Sequence, residues 1–316
     1  MKRQLNAAAL AVAVAIALIA CQRTTPEVAT STNPATPAPE TAPAAEPAKA
    51  AYTDLEQLAQ RLVTQSAAIK EGEIVYITGR TQDAELLEDI AVNVRKVGGF
   101  PLIEYSSDRL DKRLFFDVPE KYDAQANALG RKLADNVNVV ITVANATSEN
   151  LFEGADPKRM AARGKANEPV MQAFAKKVRN IEIGNNLYPT SWRAQRFGMS
   201  DDDLARTFWN GVNIDYSELQ GRGEQVKAAL AAGNEVHITN PNGTDLKVRV
   251  QGRPVLVSDG VVTAEDMKRG GVAAAAYLPA GEVYTTPVPG TAEGKVVHTR
   301  TFFRGKQVDN LTLTIA

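Results

Sequence analysis

The chain reads first as alternating apolar patterns of two periods. Thr53 to Ile69 carries apolar side chains at 55, 58, 62, 63 and 69, close to helical spacing, and a Thr or Asp at its start can cap it. Glu73-Ile-Val-Tyr-Ile-Thr78 follows as a buried-type strand ending at Gly79. Gln82 to Val97 is again helical and stops at Gly98-Gly99. Phe100 to Tyr105 and Asn138 to Val143 read as strands, with a helix expected from Pro119 to Ala134 between them. A long helix, Pro157 to Val178, leads into a strand at Ile181-Glu-Ile-Gly184, and two further helices are expected at Asp201 to Asn210 and Tyr216 to Ala232. Alternation of strand and helix predicts an α/β fold, a mainly parallel sheet with flanking helices.

After Gly233 the texture changes. Glu235 to Thr239 and Asp245 to Val250, joined by Pro-Asn-Gly, predict a hairpin. Strand-like pieces continue through PVLVS, GEVYTT, KVVHTRTFF and LTLTI, while helical patterns nearly vanish. The expected division is an α/β amino-terminal domain over 51–233 and a smaller β-rich piece over 234–316.

The amino terminus is different in kind. A basic start, Met1-Lys-Arg-Gln-Leu-Asn6, precedes an uninterrupted apolar run from Ala7 to Ala20. The run is shorter than the roughly twenty residues a bilayer span needs, but it suits a signal-peptide core. It ends Leu18-Ile-Ala-Cys21, which resembles a bacterial lipobox. That resemblance implies a lipoprotein signal peptide over 1–20 and lipidation of Cys21. Gln22, which is not Asp, implies the periplasmic side of the outer membrane. Residues 21–50, rich in Pro, Ala and Thr, read as an extended tether. Cys21 is the single cysteine of the 316 residues, so no intramolecular disulfide is expected.

Composition narrows the chemistry. The chain is 44% hydrophobic and 23% charged with a formal charge of −1, and no basic run appears, so nucleic acid is not an expected partner. There is no GxSxG turn, no phosphate loop, no HExxH and no CxxC. His237 and His298, the two histidines, sit singly in strand patterns and read as half-buried or surface residues. Asp201-Asp-Asp203 reads as a helix start favoured by the dipole and not as a metal site.

One carboxylate stands out. Glu282 lies in Leu278-Pro-Ala-Gly-Glu-Val-Tyr-Thr-Thr-Pro287, framed by Pro and Gly on a strand, where acids are uncommon. This segment closely resembles the one carrying the first metal-ligating glutamate in the thermophilic aminopeptidase T family of metallopeptidases. Further blocks resemble the family in order: Ile69-Lys-Glu-Gly-Glu-Ile-Val-Tyr-Ile-Thr78; Gly154 to Arg163 with Lys165, Ala166 and Pro169; Tyr188-Pro-Thr190 with Ala194 and Gly198-Met-Ser200; Gly243-Thr-Asp-Leu246 with Gln251-Gly-Arg253; and Asp259-Gly260.

The resemblance implies an exopeptidase that hydrolyses amino-terminal residues of peptide substrates through two divalent ions, Zn, Co, Mn or Mg, with Glu282 as the first metal ligand. Two such ions would clamp a bridging water and polarise the scissile carbonyl, and hard carboxylates suit them. It also implies that the β-rich domain over 234–316 is the incomplete start of a catalytic domain, and it admits a homodimer. The family's second Glu, two His, Tyr and Asp belong to a portion beyond the segment matched by Val308 to Ile315, and no catalytic residue is assigned. Three accounts follow: the sequence is a fragment of a longer enzyme; the chain is a catalytically inactive, lipid-anchored binding or scaffold protein of the same fold; or a partner chain completes the site.

Overall fold

The computed structural model describes residues 52–303 and 306–316; the expected signal peptide, Cys21 and the tether lie outside them. The first helix, α1 (Leu55–Arg61), is capped by Asp54, which accepts the Gln57 amide hydrogen at 2.9 Å, and it runs on through a wider turn at Leu62–Ser66. Five strands, β1 (Ile74–Arg80), β2 (Phe100–Ser106), β3 (Val139–Val143), β4 (Arg179–Ile183) and β8 (Ala275–Leu278), form one parallel sheet in the order β2-β1-β3-β4-β8. Between β4 and β8 come β5 (Glu235–Asn240), β6 (Thr244–Arg249) and β7 (Val255–Ser258). The α/β expectation therefore holds, and the parallel sheet continues past 233. β8 comes from a run, AAYL, too short and small to read as a strand by itself.

Hydrophobic alternation decides which face of this sheet is sealed. Val75, Ile77, Val139, Ile141, Ile181, Ile183, Ala276 and Leu278 share one face and are buried against Leu58 and Leu62, against α2 (Ala84–Lys96), and against Phe208 and Trp209 of α7 (Asp201–Val212). Strands of a parallel sheet are usually apolar on both faces. Here the opposite face carries a complete polar row in register, Glu104, Thr78, Thr142, Glu182 and Tyr277. Glu104 accepts a hydrogen bond from the Tyr76 hydroxyl, and burial raises the Glu182 carboxyl above the usual carboxylate range.

The helix expected at Pro119 to Ala134 is broken in two. A single turn at Glu120–Tyr122 is followed by α4 (Ala128–Asn136), capped by Asn127. Tertiary charge overrides local propensity. The Asp123 carboxylate is buried, and it accepts from Arg159 Nε at 2.5 Å and Arg163 Nε at 2.6 Å, both on α5 (Pro157–Lys177). The same arginines donate to the Val118 and Leu114 carbonyls and lie over the Phe115 ring, closing α3 (Asp108–Phe116) onto α5. Neither α3 nor the short α6 (Ser191–Phe197) is legible as a periodic pattern, because seven to nine residues barely repeat.

Beyond α8 (Tyr216–Ala232) the antiparallel strands appear as expected. β5 and β6 form the hairpin and pair onward with β10 (Glu293–Phe303) and β11 (Lys306–Ile315), in the order β11-β10-β6-β5. β7 pairs with β9 (Glu282–Thr285) as a separate ribbon. Register places Val236, Ile238, Leu246, Val248, Val296, Leu311, Leu313 and Ile315 on one face of the four-stranded sheet, and none of them is buried. One helix unread in the sequence, α9 (Ala264–Arg269), has reciprocal capping between Thr263 and Asp266. No described helix is long and apolar enough to cross a membrane.

The Asp123 cluster gives a pH prediction. The hydrogen bond from Arg159, joined by Arg163, holds the folded carboxyl at about 2, against roughly 3.9 in an unfolded chain. The unfolded state therefore binds the proton first, so this stabilisation is present above about pH 4 and disappears as pH falls toward 2. Urea unfolding between pH 5 and pH 2 should show an acid limb that is shallower in Asp123→Asn; an unchanged slope would contradict the assignment.

Candidate metal centre

Glu282 is placed by backbone constraints on both sides. β8 ends at Leu278, and the chain turns through a cis Leu278-Pro279 peptide into Gly281, whose φ of +128 an L side chain rarely adopts. The Gly281 amide then donates to the Ser258 carbonyl at 2.9 Å, which registers Glu282 opposite Ser258 as β9 begins. α8 holds the ribbon from one side. A Cβ on Gly223 would lie 2.6 Å from a Val257 methyl, so a glycine at that position permits the close approach. The Asn185 amide donates to the Pro279 carbonyl at 3.2 Å and ties the turn to the end of β4.

The side chain itself is exposed. Glu282 shares a ribbon face with Ser258, Leu256 and Tyr284. Burial raises the Tyr284 hydroxyl, with smaller contributions from the charges of Glu282 and Asp266. Asp266 is committed to the α9 cap, where the Thr263 amide and hydroxyl donate to its carboxylate. A cleft of about 460 Å³ opens nearby between α8 and the α9 turn, lined by Glu224, Lys227, Asp259, Glu265, Asp266 and Arg269. Among the described residues, no three His, Cys, Asp or Glu side chains stand close enough together to hold a metal ion.

The two histidines fall elsewhere. His237 Nε2 lies 2.8 Å from Asp245 Oδ1 on the polar face of the four-stranded sheet, and His298 pairs with Leu311 on the opposite face. Both are exposed, as a plain surface role requires. Asp201, Asp202 and Asp203 open α7, where Ser200 caps the helix and Asp202 binds Tyr52 and Arg206. That is the capping role read from the sequence. Asp83, missed there, is 1% exposed; it accepts from the Tyr188 hydroxyl at 2.6 Å and from Asn145 at 3.2 Å, joining the loops after β1, β3 and β4. No sequence pattern announces it, since its partners lie 62 and 105 positions away.

Comparison with known proteins follows this geometry. The sequence profile described as thermophilic metalloprotease (M29) matches residues 51–316. Among solved structures, wild-type AmpT from Thermus thermophilus is similar with a TM-score of 0.63 at 19% identity, over 83% of this chain and 68% of that one. At that identity the likeness establishes a shared fold. No curated protein matches the chain.

The turn before Glu282 is testable independently of chemistry. Gly281→Ala forces a Cβ onto a φ of +128, and should cost about 1–3 kcal/mol of stability. Chemical denaturation should show the loss, while Gly221→Ala, at an open position inside α8, should not destabilise.

Proposed function

The chain belongs to the thermophilic metalloprotease family, and from that membership we propose that it is a metal-dependent aminopeptidase acting on peptides with a free amino terminus. The observation that carries this reading is the family match across residues 51–316, which contains the LPAGEVYTTP segment. Family chemistry implies divalent metal ions, and Glu282 is the residue we assign as first ligand. Its support is indirect: a fixed backbone, an exposed carboxylate and no competing ion pair among the described residues.

The donor set stops short of a metal site. One carboxylate cannot hold two ions, and the described residues offer no cluster of three ligands. On this reading the remaining ligands come from outside the described residues. The same observation favours the second reading, a catalytically inactive binding or scaffold protein that keeps the fold. Attachment to the outer membrane through lipid on Cys21 is compatible with both and rests on the lipobox-like LIAC sequence.

Metal analysis and turnover separate the two. As an aminopeptidase, the purified protein takes up Zn or Co stoichiometrically and releases amino acid from a leucyl anilide, and Glu282→Gln lowers activity by about a hundredfold or more. A folded protein with neither metal nor turnover would be the binding module. For the anchor, mass spectrometry should find an acylated Cys21, and Cys21→Ser should leave the membrane fraction. An unmodified Cys21 in the mature protein would refute the anchor alone.

A further inference from the structure

We propose that Arg193 and Arg196, at the carboxyl rim of the parallel sheet, form a binding site for the carboxylate group of a small ligand. Arg193 sits on α6 and is 4% exposed. Its Nη1 donates to the Tyr188 carbonyl at 2.9 Å, the Ala146 carbonyl at 3.4 Å and the Thr190 hydroxyl at 3.4 Å. These acceptors are all neutral. Among the described residues no carboxylate pairs with this guanidinium, and its hydrogen bonds all leave from Nη1, with none from Nε or Nη2. Two other arginines near this rim have acids: Arg80 has Asp108 and Asp111, and Arg196 has Glu149.

A buried cation without a counter-charge is costly. Burial, with Arg196 beside it, lowers the Arg193 guanidinium to about 10, still charged at neutral pH. Arg196 adds a second open donor, since its Nε is buried and without a partner. Both guanidinium groups lie over the Trp192 ring, at 4.2 and 5.5 Å from its centre, and Phe302 of β10 lies 4.4 Å from Arg196. The cluster thus holds two cations and one acid, with planar faces stacked to fix their orientation.

The free donors identify the ligand chemistry. Nε and Nη2 form the side-on fork of a guanidinium, which matches the two oxygens of a carboxylate in one plane. Location agrees. Ligands of open α/β sheets bind outside the carboxyl ends of the strands, and Arg193 bridges the loops that follow β3 and β4 there. At the end of β1, by contrast, Arg80 is already neutralised by two aspartates of α3. The site is independent of Glu282 and of any metal.

The test uses the ¹⁵N-labelled full chain with chelator present, titrated with N-acetylglycine. The reporter is the Trp192 indole N–H, which donates to the Ala146 carbonyl at 2.9 Å and is told from Trp209 by Trp192→Phe. We expect a saturable shift with a midpoint of roughly 1 mM, absent with N-acetylglycinamide. Arg193→Lys keeps the charge and loses the fork, and should weaken binding about tenfold. If that variant fails to fold, Arg196→Gln should weaken binding by about fivefold or more. No saturable shift, an equal response to the amide, or unchanged affinity in Arg196→Gln would overturn the site. A tighter response to inorganic phosphate than to N-acetylglycine would overturn the carboxylate assignment.

Discussion

The pairing of β4 with β8 is the constraint on which the rest depends. Asn180 to Ile183 register against Ala275 to Leu278, and the Gly184 amide donates to the Leu278 carbonyl at 2.8 Å. Through these bonds a segment far along the chain becomes the edge of the first sheet. Everything that follows β8 inherits its position from that edge. Pro279 lies against Gly211 of α7, Gly281 against Leu219 of α8, and Glu282 starts a ribbon whose other strand is held by Gly223. The acid is therefore delivered by the core, although its own side chain is at the surface.

The two faces of the parallel sheet have different duties. One is sealed by aliphatic side chains and by the Tyr188, Phe208 and Trp209 rings, which meet edge-on or tilted at 4.9 to 5.8 Å. Burying such side chains contributes about 1.5–3 kcal/mol each before entropy is counted. The other face tolerates Glu104, Glu182 and Tyr277 because it is only partly covered. Polar groups at the rim are then organised by charge. Arg80, Asp83 and Arg193 each bridge loops from different strands, and Arg163, held by Asp123, joins α5 to α3.

How much of this is legible in the sequence varies with the physical origin of each element. Val75, Ile77, Val139, Ile141, Ile181 and Ile183 betray their strands because a buried face needs an apolar side chain at every second position. α7 and α8 announce themselves through acids, caps and length. The break at Asp123 is silent, because Arg159 and Arg163 approach from 36 and 40 positions away. β8 is silent for another reason: Ala275 and Ala276 have neither bulk nor period, and only pairing with β4 makes them a strand. Glu282 stands out in the sequence by its Pro and Gly neighbours, which mark its backbone setting and not its role, whereas the unpaired charge of Arg193 is visible only once its surroundings are known.

Sequence by itself determined the local alternation, the α/β class, the antiparallel tail and the thermophilic metalloprotease family, since each is written in residues close together or in ordered blocks. Tertiary structure alone decided which acids and cations meet. It keeps His237 and His298 on opposite faces, commits Asp266 to a helix cap and, among the described residues, brings no cluster of three ligands together and leaves one buried guanidinium without an acid. The physical reason is range. Backbone propensity and period act over a few residues, whereas ion pairing and burial are settled between segments that only folding brings into contact.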